Sequence, residues 1–491
     1  MQRRGVSVVL FLVGLILAIA AHASEGRPVN STDLMAWLTA GVPCNRLIRI
    51  IQQRGIASIP NNEQIRQFEA AGANPILIRT LSNLKPSSAM SPVTPQIPPS
   101  LIQAAISARS QRFHEADLDL RQAVSADPQN AALHFALGSM LRQQERWDDA
   151  FDEITLATRL MPDFPENHSG LAYIFYRLDD GPNAIAEART ALSMDPQNAE
   201  AYQFLGLGLF SNGQYGAAVH AFIESLARDA GNPDTYYDLG ITLHADGNLP
   251  AALAAYRQAI RLNPGFWEAH SNLALILHEQ SKLDEALAEY REAKRLAPQE
   301  ASVRNNLGNT YCDQGDFDAA IVELRELYRQ HPEWEQGHGC LARAYMSKKN
   351  YAGAVDELQL AVRQNPSSSA EHRVLGEALL LNDKLEEGIH ELRLAVTLNP
   401  DSDAAHHSLG TALFQQQQPA AAEKEFREAL RLNASSDNHY SLAACLMTMD
   451  RYEEALSELE AATQLDPERK LYRARRDELR KLMLMKETNS R

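Results

Sequence analysis

At 491 residues, the chain is long enough for several globular domains or one extended repeat array. Its formal net charge of -16 and its lack of a Lys/Arg stripe argue against nucleic-acid binding, which rests on clustered cations. Ample apolar content argues against disorder, and four cysteines without CxxC spacing do not suggest a disulfide framework.

The N-terminus reads as an export signal. Arg3 and Arg4 precede an apolar run from Val6 to Ala21, and Ala21, His22 and Ala23 suit cleavage after Ala23. This predicts a signal peptide over residues 1–23 and a periplasmic or secreted protein. The run is shorter than the ~20 residues a spanning helix needs. The alternative is an uncleaved signal acting as an inner-membrane anchor. Residues 24–84 predict four short helices near 32–40, 44–54, 61–71 and 74–84, punctuated by Gly41, Gly55 and Gly72, with Asn61 as a cap. They form either a separate small helical module or an irregular cap on the rest of the chain. Residues 85–96, with Pro86, Pro92 and Pro95, predict an extended linker.

From residue 97 the sequence becomes periodic. Pro recurs every 34 residues at 128, 162, 196, 264, 298, 332, 366 and 400, with Ala230 and Ala434 filling the gaps and Pro467 closing the series one residue early. With Pro as position 32, eleven repeats start at 97, 131, 165, 199, 233, 267, 301, 335, 369, 403 and 436. Position 8 is always Gly or Ala, as in Gly138, Gly206 and Gly240. Position 20 is Ala in every repeat but one, where it is Gly388. Positions 4, 7, 8 and 11 share one face of a first helix, and positions 20, 24 and 27 share one face of a second. Small residues at 8 and 20 let the two axes approach, while Phe222, Tyr256, Tyr290 and Phe426 at position 24 fill the space alongside. Turns such as Asn212-Gly213 separate the helices, and Asn130, Asn198 and Ser402 are placed to cap first helices.

This register resembles the tetratricopeptide repeat (TPR) family, over about 370 residues (97–469). The resemblance implies an all-α, right-handed superhelical solenoid of helix-turn-helix repeats. Residues 470–491 predict a C-terminal capping helix and tail, since solenoid ends need a polar cover.

No HExxH, GxSxG, phosphate loop or zinc-spaced Cys pair occurs, and the chain is expected not to be an enzyme and to need no cofactor or metal. His recurs at position 4 (134, 168, 270, 338, 372, 406, 439), where Tyr202 and Tyr236 stand in other repeats. Neighbouring first helices lie about 8–10 Å apart, too far for a ladder of shared metal ions, so these rings are expected to pack as flat amphipathic plates.

The family's usual ligand face implies a protein or peptide partner along positions 2, 5, 9, 12 and 13 of the first helices. Carried over, these positions give a floor of Tyr173, Tyr176, Leu207, Phe210, Tyr237, Ile241, His244, Leu275 and His278 beside an acidic edge of Glu166, Glu200, Asp234 and Glu268. Such a surface suits a peptide with apolar anchors and Lys or Arg. The family's carboxylate clamp is absent: Asn305 and Asn309 match its first places, but Cys340, Ala370 and Val374 do not match the rest. The leading reading is a non-catalytic interaction scaffold. Two alternatives are a substrate-selecting subunit for a glycosyltransferase, because the repeats resemble those of O-linked N-acetylglucosamine transferases, and a self-assembling envelope protein.

Overall fold

The computed structural model describes residues 26–85 and 95–489; the expected signal and most of the expected linker lie outside the described residues. The described residues are helical, apart from connecting segments and one isolated parallel bridge between Val29 and Ile56. The chain divides into two compact units, Met1–Pro264 and Gly265–Arg491.

The first unit opens with four short helices: α1 (Ser31–Thr39), α2 (Cys44–Arg54), α3 (Asn62–Ala70) and α4 (Pro75–Ser82). Asn30 and Asn61 cap α1 and α3 through reciprocal capping boxes. Five helix pairs follow, from α5 (Pro99–Arg109) to α14 (Leu249–Leu262), and each pair packs on the next. The second unit holds six more pairs and a final helix, Lys470–Asn489, which buries Tyr472 and Leu479 completely.

Close approach within each pair follows from the missing side chain at position 8. A Cβ on Gly206 would sit 2.6 Å from the Phe222 ring, and one on Gly240 would sit 2.5 Å from Tyr256. The large residue at position 24 therefore lies directly on the glycine backbone. Between the helices, position 15 takes the left-handed conformation in all eleven repeats. Glycine serves at only three of them (213, 247 and 315); elsewhere Gln111, Glu145, Asp179, Ser281, Lys349, Asp383, Gln417 and Asp450 adopt φ of 57–64°. The turn geometry is imposed by helix packing, not by glycine content.

Two features depart from the sequence reading. The first helix of repeat 8 starts at His338, not near residue 335, because Gly337 turns left-handed at φ 97° just before it. Cys312 and Cys340, 28 residues apart, form a disulfide with Cα atoms 6.3 Å apart. Their spacing conceals this link: they occupy position 12 of repeat 7 and position 6 of repeat 8, and only stacking brings them together. Cys44 and Cys445 are free.

Candidate partner-binding groove

The first helices of repeats 3–5, α9 (Pro165–Arg177), α11 (Ala199–Ser211) and α13 (Pro233–Ala245), follow one another along one face of the first unit. N-caps at Asn198 and Asn232 start the last two, and Pro233 occupies the first helical turn of α13.

The four N-terminal helices occupy this face over the earlier repeats. Helix α1 packs on α5 and on α7 (Ala131–Gln143). Position-2, -5 and -9 residues there, Ala132, Phe135 and Ser139, are consequently buried. Trp37 stacks on Phe164 at 4.7 Å, and Phe164 meets Phe135 edge-on at 5.6 Å. Arg46 of α2 completes the contact: its Nε donates to Glu166, and its Nη1 lies 2.6 Å from Asp195 Oδ2. Glu166, expected on an open acidic edge, is thus 3% exposed and already engaged by a cation. That expectation is corrected: the N-terminal helices lie against the inner face, which a short, non-periodic segment does not announce in sequence.

Beyond this contact the face is open. Tyr173 and Tyr176 are half-buried, with ring centres 6.2 Å apart, and Tyr173 also lies 4.9 Å from Phe204. Arg142 covers one part of this floor, its guanidinium 4.7 Å from the Tyr173 ring centre. Phe210, Tyr237, Ile241 and His244 are half-buried, whereas Leu207 is 7% exposed and belongs to the packing beneath.

The carboxylates of this face are electrostatically unusual. Glu200 and Asp234 are exposed, yet the groove walls strip away enough water to raise both above the ordinary carboxylate range; Arg142, 4.0 Å from Glu200, opposes the effect there. Asp238 is raised to about 7 by loss of hydration, against a 2.9 Å hydrogen bond donated by Gln203 Nε2, with Asp234 adding repulsion. Its side chain keeps partial access to solvent, and protein crowds it from the sides; a groove produces both at once. Sequence reasoning missed Asp238, Gln203 and Arg142, because positions 5, 6 and 12 of these repeats were not read together across neighbours.

In the second unit, Glu268 and Leu275 are half-buried. His278 Nε2 lies 3.0 Å from Asp313 Oδ2, and Arg343 holds the other oxygen of Asp313 at 2.6 Å.

The position-4 histidines have a partner that the sequence reading lacked. In all seven repeats Nδ1 lies 2.5–2.7 Å from the Glu at position 23: 134–153, 168–187, 270–289, 338–357, 372–391, 406–425 and 439–458. At His134, His168, His372 and His406, Nε2 also meets the carbonyl of the preceding repeat's Pro, at 3.0–3.2 Å. Arg304 repeats the arrangement with Glu323 and the Pro298 carbonyl. The signal was present: where position 4 is Tyr202 or Tyr236, position 23 is Ala221 or Ala255.

The profile of the Tetratricopeptide repeat family matches residues 107–165, 169–233, 237–301, 305–369 and 341–403, more than half the chain. The chain is a tetratricopeptide-repeat protein. Proteins built from TPR helix pairs generally serve as non-catalytic surfaces for other proteins. A profile described as Anaphase-promoting complex, cyclosome, subunit 3 also matches residues 391–462 of this TPR protein. No curated protein matches. Among solved structures, pilF of Pseudomonas aeruginosa is similar at 20% identity, covering 42% of this chain and 94% of its own, with a TM-score of 0.38. A tetratricopeptide repeat protein from Parabacteroides merdae shares 16% identity over 50% of this chain and 98% of its own, at 0.40. MamA from Desulfovibrio magneticus shares 20% over 34% and 95%, at 0.33.

Proposed function

We propose that this protein is a non-catalytic scaffold that holds a polypeptide along the inner face of repeats 3–5. The observation that carries this reading is the open, half-buried aromatic strip of Tyr173, Tyr176 and Phe210, which begins where the N-terminal helices stop. Apolar rings left partly exposed side by side favour a partner that covers them. Glu200 and Asp234 border the strip, and Tyr237, Ile241 and His244 extend it.

A photo-crosslinking residue at position 176 tests the reading in native cells. Capture of a defined polypeptide, lost in Tyr176→Ala with Phe210→Ala while circular dichroism stays helical, is the expected result. Undiminished capture by the double variant refutes it.

The protein acts, on this proposal, after export. The Cys312–Cys340 disulfide supports that location, since such bonds persist in oxidising compartments. Fractionation that recovers the chain only from the cytosol is the contrary outcome.

A further inference from the structure

The N-terminal helices display a ligand already seated on this face. Arg46 reaches Glu166, at position 2 of repeat 3, and Asp195 behind it, while Trp37 supplies a flat apolar contact to Phe164. One and two repeats onward, position 2 is again acidic, at Glu200 and Asp234, but no cation of the N-terminal helices reaches either one. Arg142 approaches Glu200. Asp234 and Asp238 have no cationic partner among the described residues, and Gln203 offers Asp238 only a neutral hydrogen bond. Both carboxylates have lost hydration to the groove walls without gaining an opposite charge, an arrangement that a guanidinium or ammonium group would relieve.

We infer that the partner segment continues the interface begun by the N-terminal helices and places an arginine or lysine on Asp234 and Asp238, beside an apolar side chain on the Tyr173–Tyr176 strip. This rests on the groove reading and adds the chemistry of the occupant. Three observations support it. The same inner face already binds a helix through an arginine on a position-2 carboxylate. Two repeats onward in the same register, Asp234 and the nearby Asp238 have no cationic partner among the described residues. The strip and the carboxylates are close enough that burial of Tyr176 is felt together with the charge of Asp238, which both act to hold its phenol protonated. An acidic or wholly apolar segment would leave Asp238 desolvated and unmatched, which selects against such occupants.

A random dodecapeptide display library, selected on the full chain, tests this. Enrichment of Arg or Lys next to an apolar residue in peptides selected on the natural chain, with roughly a tenfold or greater loss of affinity for a selected peptide on Asp234→Asn with Asp238→Asn, is expected. Both replacements keep the shape and remove charge, so the variant remains folded. Selected peptides that lack basic residues, or that bind the Asn variant equally well yet fail on Tyr176→Ala with Phe210→Ala, overturn the inference and leave the groove reading standing. Selection of nothing that depends on either set of residues overturns both.

Discussion

His134 Nδ1 stands 2.6 Å from Glu153 Oε2 while its Nε2 stands 3.0 Å from the Pro128 carbonyl. Both neighbours only accept, and a neutral imidazole has a single N–H, so the ring bridges them fully only as imidazolium. One proton thereby joins the first helix, the second helix and the preceding turn. The Glu153 hydrogen bond, against burial, raises the pKa of His134 above its ordinary 6.5; at His168, burial opposes and the Glu187 and Pro162 contacts outweigh it. A raised histidine pKa contributes stability that is complete below about 6.5 and is lost as pH climbs through the raised value. Thermal melts from about pH 6 to about pH 9 should therefore show a falling midpoint, and Glu153→Gln should flatten that slope and cost about 1 kcal/mol near pH 6.

Asp238 loses stability in the same direction as pH rises, but here the charged form is the unfavourable one. Its folded pKa of about 7 exceeds the unfolded value, so the folded chain binds the extra proton and its ionised form is a burden. Asp238→Asn should stabilise the fold near pH 8 by about 1 kcal/mol after allowing for its partial solvent access, read as a higher melting midpoint, and the gain should vanish near pH 4. A gain that persists unchanged in acid would show that charge is not its cause.

Arg46 lies between Glu166 and Asp195, with both carboxylates largely buried. Arg46→Met removes the cation and leaves two acids behind, at a cost of about 3–5 kcal/mol. Hydrogen exchange should report it first in α1 and α2. Equal protection of these helices in variant and natural chain counts against the contact.

Position 15 offers a stabilising change. A non-glycine residue in the left-handed region carries about 1–2 kcal/mol of strain, part of which glycine returns through its freer unfolded chain. Gln417→Gly, at φ 64°, should gain a few tenths to about 1 kcal/mol, and Gly247→Ala, at φ 80°, should lose about 1. Urea melts of the two variants read both signs.

The Cys312–Cys340 link closes a loop of 28 residues, for which chain entropy gives about 3–4 kcal/mol. Reduction should lower protection around repeats 7 and 8 before it affects repeats 10 and 11, since each helix pair is held mainly by its neighbours.

The sequence by itself determined the repeating architecture. Gly or Ala at position 8, Ala at position 20 and Pro at position 32 each act through contacts within a pair or at the adjoining turn, where spacing along the chain is spacing in space. The His–Glu staples left a trace in the sequence, the switch from His270 and Glu289 to Tyr236 and Ala255, but the pairing itself was read only from the fold. What only the tertiary structure decided are relationships between segments with no shared period. Arg46 lies 120 residues from Glu166, and nothing in the local pattern of α2 says which carboxylate it meets. Asp238 looks like any helix-surface acid until α11 brings Gln203 beside it. Local contacts write themselves into a repeat; burial and charge in the groove depend on how neighbouring repeats and the N-terminal helices stack, and that is a property of the folded unit.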